Sequence, residues 1–264
     1  DAGRTPFFIY LHYMEPHSPY QPPPEHRRRF AGPYDGNPLV AAGVPAPIED
    51  LLFRQRRPDL VSAADVDHLR DLYDEEIAYF DTQLENLFAL LAERRLLDTT
   101  IVILAADHGE SFDEHGSMTH CRTIFGTETH TPLLMWIPGV AAQRVAVPAE
   151  NLDILPTVLD YLGVGAPSGL QGRSLRPVLE GRTEEPPRVA RSFHKQLRTI
   201  SDERYRVMLD ITSGWTGAFD RTSDPAERVD LFAAGRAPQA VDKLRDRLLA
   251  SVASLEGDRA RHNV

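Results

Sequence analysis

The sequence predicts an α/β protein whose sheet is at least partly parallel. The first observation is the run Ile101-Val102-Ile103-Leu104, which holds no polar residue and is bounded by Asp98-Thr-Thr and Asp107-His-Gly-Glu110. A short β-branched run between turn residues reads as a strand buried on both faces, as strands of parallel sheets are. The second is the stretch before it. Val66, Leu69, Tyr73, Ile77, Phe80, Leu84, Leu87 and Leu91 recur at spacings of three and four, which gives one apolar helical stripe. Helix followed by buried strand is half of a parallel-sheet unit. The third is Pro6-Phe-Phe-Ile-Tyr-Leu-His12, a second buried-strand candidate entered through a proline.

The remaining elements follow in order. Tyr13 to Tyr20 contains two prolines, and the residue before each is pushed away from helix, so a stiff loop presents Glu15 and His17. Residues 21–60 are proline-rich and loop-like, with basic patches at Arg27-Arg-Arg29 and at Arg54 to Arg57. A loop of that length is a candidate site cover. Ser62-Ala-Ala-Asp65 forms a capping-box-like start to the long helix, which runs to about Arg95. Thr131 to Pro138 is a further strand, and Asn151 to Gly163 a short helix with its proline early, where it is tolerated. Beyond Gly181 the texture changes. Val189 to Phe193, Leu197 to Ser201, Tyr205 to Leu209 and Gly217 to Asp220 predict a small antiparallel sheet. Val241 to Leu255, with Leu244, Leu248 and Val252, predicts a terminal amphipathic helix. The expected division is therefore a larger α/β part over residues 1–181 and a smaller sheet-and-helix part over residues 182–264.

Composition narrows the function. The 264 residues carry a net charge of −10, and no basic stripe of the kind a nucleic-acid binder needs stands out. No apolar run approaches the roughly 20 residues that span a bilayer. The single cysteine, Cys121, excludes an internal disulfide and leaves the compartment open. The first residue is Asp and not Met, so the chain is expected to be processed or cut from something longer.

Chemistry concentrates at strand exits, where open α/β sheets place ligands. Asp107 and His108 stand at the end of the 101–104 run, beside Gly109. Two readings stay open for them: half of a divalent metal site, or a loop aspartate next to a solvated histidine. His17 is likewise either a site residue or a surface loop histidine. A later segment holds His115 and His120, with Cys121 and Arg122 adjoining the latter.

Three segments align in order with one family. They are Phe7-Phe-Ile-Tyr-Leu-His-Tyr-Met-Glu-Pro-His-Ser-Pro-Tyr20, Ala105-Ala-Asp-His-Gly-Glu110 and His115-Gly-Ser-Met-Thr-His-Cys-Arg-Thr123. With Asn151 to Thr157, Leu170 to Leu175 and Asp224-Pro-Ala-Glu227 added, the chain resembles the sulfatases of the alkaline phosphatase superfamily over nearly its whole length. The resemblance implies an alkaline-phosphatase-like α/β sandwich with a central mixed, mostly parallel sheet, and a C-terminal antiparallel subdomain. It implies metal-dependent hydrolysis of a small-molecule or saccharide sulfate ester. Asp107 and His108 match the late pair of metal ligands. His17 and His120 match residues that touch the sulfate or its ester oxygen, and Arg122 joins them in substrate binding. The metal is calcium by family precedent, and manganese is the alternative because imidazole at 108 suits a softer ion than oxygen ligands do.

The departures are equally specific. The family nucleophile lies in Cys/Ser-x-Pro/Ala-x-Arg and is oxidised to formylglycine; Cys121-Arg-Thr-Ile-Phe125 is not that motif, and no other stretch supplies it. The early Asp-Asp metal pair and the Lys-x-His element are also absent. Phe125-Gly126 stands where a Tyr-Glu pair is common. The expectation is thus the C-terminal portion of a sulfatase-like protein, inactive by itself. The alternatives are a phosphate or phosphonate monoester hydrolase or phosphoethanolamine transferase of the same superfamily, and a non-catalytic remnant or binding module.

Overall fold

The computed structural model describes residues 5–45, 61–182 and 186–262, with side chains described as far as residue 254. The basic patch at Arg54 to Arg57 lies outside the described residues. The chain forms two compact units, Asp1–Arg94 and Arg95–Val264.

The first unit is built on the long helix. After a four-residue helix, α1 (Pro38–Ala41), comes α2 (Ala63–Glu93). Its start is fixed as the sequence predicts. Ser62 caps the Asp65 amide, and the Asp65 carboxylate accepts from the Ser62 amide in return, a complete capping box. Asp65 also accepts from the Tyr34 hydroxyl, and the Tyr34 ring stacks on His68 at 4.1 Å. The amino-terminal half of α2 buries Val66, Leu69 and Leu72, while Tyr20 packs edge-on against Tyr73. Gly43 is required here. Its φ is +72°, and a Cβ would lie 1.9 Å from the Tyr20 carbonyl oxygen. The expected strand at Pro6 to His12 does not form. These residues have no strand partner among the described residues, and Phe8 is 89% exposed. A strand needs a neighbour for its backbone groups. The apolar run states that the segment prefers cover; it does not supply the cover.

The second unit opens with β1 (Val102–Ala105). Its partner is β4 (Leu133–Trp136), and the pairing is antiparallel, Val102 opposite Trp136 and Ala105 opposite Leu133. The expectation of a parallel central strand buried on both faces is corrected. No parallel pair occurs among the described residues, and β1 is half-buried. Its uniform apolar pattern marks a strand suited to burial on both faces, whereas a two-stranded ribbon leaves it partly open. Between β1 and β4 lie the two-residue strands β2 (Ser111–Phe112) and β3 (Met118–Thr119), then α3 (Gly126–Thr129). A 3₁₀ turn, Asn151–Asp153, leads into α4 (Ile154–Tyr161), and α5 (Arg176–Leu179) follows.

The carboxyl-terminal sheet forms as predicted. β5 (Ala190–His194), β6 (Leu197–Ser201), β7 (Tyr205–Asp210) and β8 (Thr216–Asp220) pair antiparallel in chain order. Alternation along β7 sorts its two faces. Tyr205, Val207 and Leu209 meet Val241, Leu244 and Leu248 of the terminal helix α6 (Gln239–His262). Met208, on the opposite face, joins Ile124 and Phe219.

Arg206 shares that opposite face and is buried. Its guanidinium pairs with Glu227 at 3.2 Å and donates to Ser201 Oγ at 3.0 Å and Thr129 Oγ1 at 2.9 Å. Glu227 in turn accepts from the Gly126 amide at 2.8 Å. Burial pulls the guanidinium down to about 10, with Glu227 opposing, so it stays charged at neutral pH. Removing one member of a buried ion pair strands the other. Arg206→Ala is therefore expected to lower the unfolding free energy by about 3–5 kcal/mol in a urea titration. Arg204→Ala, whose guanidinium pairs with Asp220 from an exposed position, should leave the midpoint nearly unmoved.

Candidate active site

The polarity change after β1 sets up the site. Ala106 is anchored at both polar atoms: its amide donates to Pro132 O, and its carbonyl accepts from Asn151 Nδ2 at 2.9 Å. The chain then turns through Asp107, His108 and Gly109. Gly109 is needed for space. A Cβ there would stand 2.1 Å from the Thr127 carbonyl oxygen, because the Gly109 amide donates to Glu128 O at 2.8 Å. The sequence suggests an easy bend at this glycine; the structure gives a close backbone approach as the reason for it.

Asp107 and His108 converge. His108 Nε2 lies 3.7 Å from Asp107 Oδ2, and the aspartate side chain is 86% exposed. His108 Nδ1 sits 2.9 Å from the Gly109 carbonyl, to which it donates as the N–H tautomer. That assignment leaves Nε2 with its lone pair on the same side as the carboxylate. An imidazole oriented by a backbone carbonyl, beside an open carboxylate, is a suitable pair of donors for a divalent cation. It amounts to two ligands, and no group of three or more His, Cys, Asp or Glu side chains arranged for a metal occurs among the described residues.

His120 extends the row. Its ring stacks on His108 at 4.1 Å between centroids. Its Nδ1 lies 3.1 Å from Glu110 Oε1, and the Glu110 side chain is only 4% exposed. A buried carboxylate at Nδ1 fixes the N–H there. The backbone on both sides of His120 is unusual. Thr119 and Cys121 hold φ of +64° and +61°, a region that non-glycine residues seldom adopt. Glu128 of α3 holds the following turn, accepting from Ser111 Oγ, from the Arg122 amide and from the Thr123 amide and hydroxyl. Arg122 is thereby fixed through its backbone next to His120. His115 is occupied in packing: its ring stacks on Phe125 at 3.6 Å, and burial holds it below the usual imidazole range.

His17 belongs to the first unit. Its amide donates to Met14 O, and its Nδ1 donates to Ser18 O at 2.6 Å. It lines a pocket of about 310 Å³ with Met14, Glu15, Ser18, Pro19, Gln21 and Glu76. The structure thus gathers Asp107, His108, His120 and the Arg122 backbone in the second unit, and sets His17 in a pocket of the first. Sequence reasoning did not single out Glu110 or Glu128, and marked Asn151 only as the start of the short helix and of the family-matching segment 151–157. Glu110 carried a signal, since it completes Asp-His-Gly-Glu. Glu128 carried none.

Residues 1–164 match the family model described as Sulfatase, and residues 113–254 match the model described as N-sulphoglucosamine sulphohydrolase, C-terminal. The choline-sulfatase of Rhizobium meliloti is 26% identical over 257 residues, covering 90% of this chain and 48% of that protein. Arylsulfatase K of Canis lupus familiaris is 32% identical over 184 residues, covering 63% of this chain and 34% of its own length. The crystal structure of a phosphonate monoester hydrolase of Agrobacterium radiobacter superposes with a TM-score of 0.66 at 25% identity, covering 98% of this chain and 57% of that one. The chain thus spans a third to a half of the curated relatives named.

Two measurements test the geometry. Glu110→Gln should replace the single Nδ1–H tautomer of His120 with a mixture, read from its ring nitrogen shifts by NMR. Gly109→Ala should cost about 1–3 kcal/mol or more in a denaturant titration, because its Cβ meets backbone that cannot swing aside.

Proposed function

The chain belongs to the sulfatase family of the alkaline phosphatase superfamily, and from that premise we propose that it supplies the metal-binding and ester-oxygen contacts for hydrolysis of a sulfate ester. The observation that carries the reading is the row Glu110–His120–His108–Asp107, in which Nδ1 of one imidazole lies against Glu110 and Nδ1 of the other against the Gly109 carbonyl. Within this reading residues 1–181 are the catalytic α/β part and residues 182–264 the supporting subdomain.

In the reaction a nucleophile adds at sulfur, the bond from sulfur to the ester oxygen breaks, and the departing alkoxide takes up a proton. This sequence holds no Cys/Ser-x-Pro/Ala-x-Arg motif, so the nucleophile is not assigned to it. Asp107 and His108 would hold one divalent cation, calcium by family precedent or manganese because of the imidazole. Such an ion supplies Lewis-acid neutralisation of the sulfate oxygens. His120 Nε2 binds the ester group, with Glu110 stabilising the imidazolium that forms when the ring carries a proton. His17 Nε2 delivers the proton to the leaving oxygen, oriented by its bond to Ser18 O. Arg122 adds positive charge for the anionic ester. The substrate class is a small-molecule or saccharide sulfate ester, in keeping with relatives named choline-sulfatase and arylsulfatase K.

A second reading, hydrolysis of a phosphonate or phosphate monoester, is favoured by the Agrobacterium radiobacter structure and by the imidazole at position 108. The Pro16-His-Ser-Pro19 loop favours the sulfate. No helix among the described residues is long and apolar enough to cross a membrane.

The chain alone should turn over no aryl sulfate, and turnover by it would refute the assignment of the nucleophile elsewhere. In a protein with the nucleophile segment present, His120→Ala should lower kcat by about 10²–10⁴-fold, with an aryl sulfate preferred over a phenyl phosphonate. Calorimetric titration of the chain with Mn²⁺ and Ca²⁺ should show weak binding that Asp107→Ala abolishes; identical heats for the two proteins would remove the metal assignment.

A further inference from the structure

His108, Glu110 and His120 each have a sequence neighbour bonded to one residue, Glu128 of α3. The Glu128 carbonyl accepts from the Gly109 amide at 2.8 Å, next to His108. Its carboxylate accepts from Ser111 Oγ at 3.2 Å, next to Glu110. The same carboxylate accepts from the Arg122 amide at 3.3 Å and from the Thr123 amide and hydroxyl at 3.2 and 2.9 Å, just after His120. Glu128 is 5% exposed, and these four donors to its carboxylate are neutral groups. Burying a carboxylate is costly unless hydrogen bonds meet it. An apolar side chain would fill the space at lower cost, so what the carboxylate adds is a fixed geometry.

The segment carrying His120 is held at both ends. Before the ring, Thr119 pairs with Ser111 across β2 and β3. After it, Glu128 takes the 122–123 turn. Between the two holds lie the left-handed residues Thr119 and Cys121, a conformation that persists only where its surroundings over-determine it. We propose that Glu128 is a positioning residue for the imidazole pair. Its carbonyl sets the segment that carries His108, its carboxylate sets the segment that carries His120, and the 4.1 Å stack of the two rings is the spacing that results. The importance of that spacing to function rests on the reading of His120 as the contact to the ester group. Because the two segments hang from different atoms of one residue, mutation separates them. Removing the carboxylate releases the 122–123 turn and leaves Gly109 bonded to the main chain.

The test is NMR with amide hydrogen exchange on the full chain, comparing wild type with Glu128→Ala and Glu128→Gln, with circular dichroism to check that each folds. In Glu128→Ala the nuclear Overhauser contact between the His108 and His120 rings should be lost. Protection of the Arg122 and Thr123 amides should fall about tenfold or more, while the Gly109 amide stays protected. A glutamate that only stabilises the fold would lower all three amides together. Glu128→Gln keeps one acceptor oxygen, so it should retain the ring contact and most of the Thr123 protection. A ring contact that survives in folded Glu128→Ala, or Gly109 protection lost in step with Thr123, overturns the proposal. Should Glu128→Ala fail to fold, Glu128→Gln decides: protection lost at the Arg122 amide alone is the expected result, and wild-type protection throughout overturns it. In a protein with the nucleophile segment present, Glu128→Ala should lower kcat by about 10²-fold, the cost of a misplaced contact group. Loss of the ring contact with turnover unchanged would instead remove the role given to His120 and leave the positioning by Glu128 standing.

Discussion

The pairing of Arg206 with Glu227 is the constraint on which the second unit depends. Two charges have left water, and that is tolerated only because nearly every donor and acceptor finds a partner. The guanidinium reaches a strand serine, a helix threonine and a carboxylate. The carboxylate reaches the amide that begins α3. The bond network therefore joins three segments far apart in sequence: the third strand of the terminal sheet, the turn after β8, and the residues beneath the histidine row. An apolar pair of the same volume would fill the space but would not dictate which backbone amide meets which side chain.

From that anchor the order passes upward through short steps. With the start of α3 fixed by Glu227, Glu128 is placed to collect the donors of the 122–123 turn. The same segment offers the Glu128 carbonyl to Gly109, which sets the exit of β1. His108 and His120 thus receive their positions from one short helix, and their mutual stacking follows. The left-handed backbone at Thr119 and Cys121 is sustained by the same scaffold. The carboxyl-terminal sheet thus holds the short helix from which both imidazoles take their positions.

How much of this could be read from residues alone depends on the range of the interaction. The capping box at Ser62, the stripe of α2 and the four strands after Gly181 are local patterns, and each formed where its period placed it. The strand at Pro6 to His12 and the parallel pairing at 101–104 failed for a shared reason. Apolar content states a preference for burial, while pairing is a relation between segments that a single run does not contain. The histidines and Asp107 could be picked out as candidates because their order matches a family. Glu128 could not be, since a glutamate in Gly-Thr-Glu-Thr looks like any surface residue, and Asn151 stood out as a helix start with nothing to show that its side chain would hold the Ala106 carbonyl. Glu227 was within reach only as part of a turn, with nothing to show that its carboxylate would be buried opposite an arginine.

One feature of the 119–121 turn has a practical side. The protein has a single sulfhydryl, at Cys121, and it is exposed. It adjoins His120 in a strained stretch of backbone. A thiol-reactive fluorophore attached there would sit at one defined spot without any engineered substitution, and its emission would report directly on what arrives at the neighbouring ring.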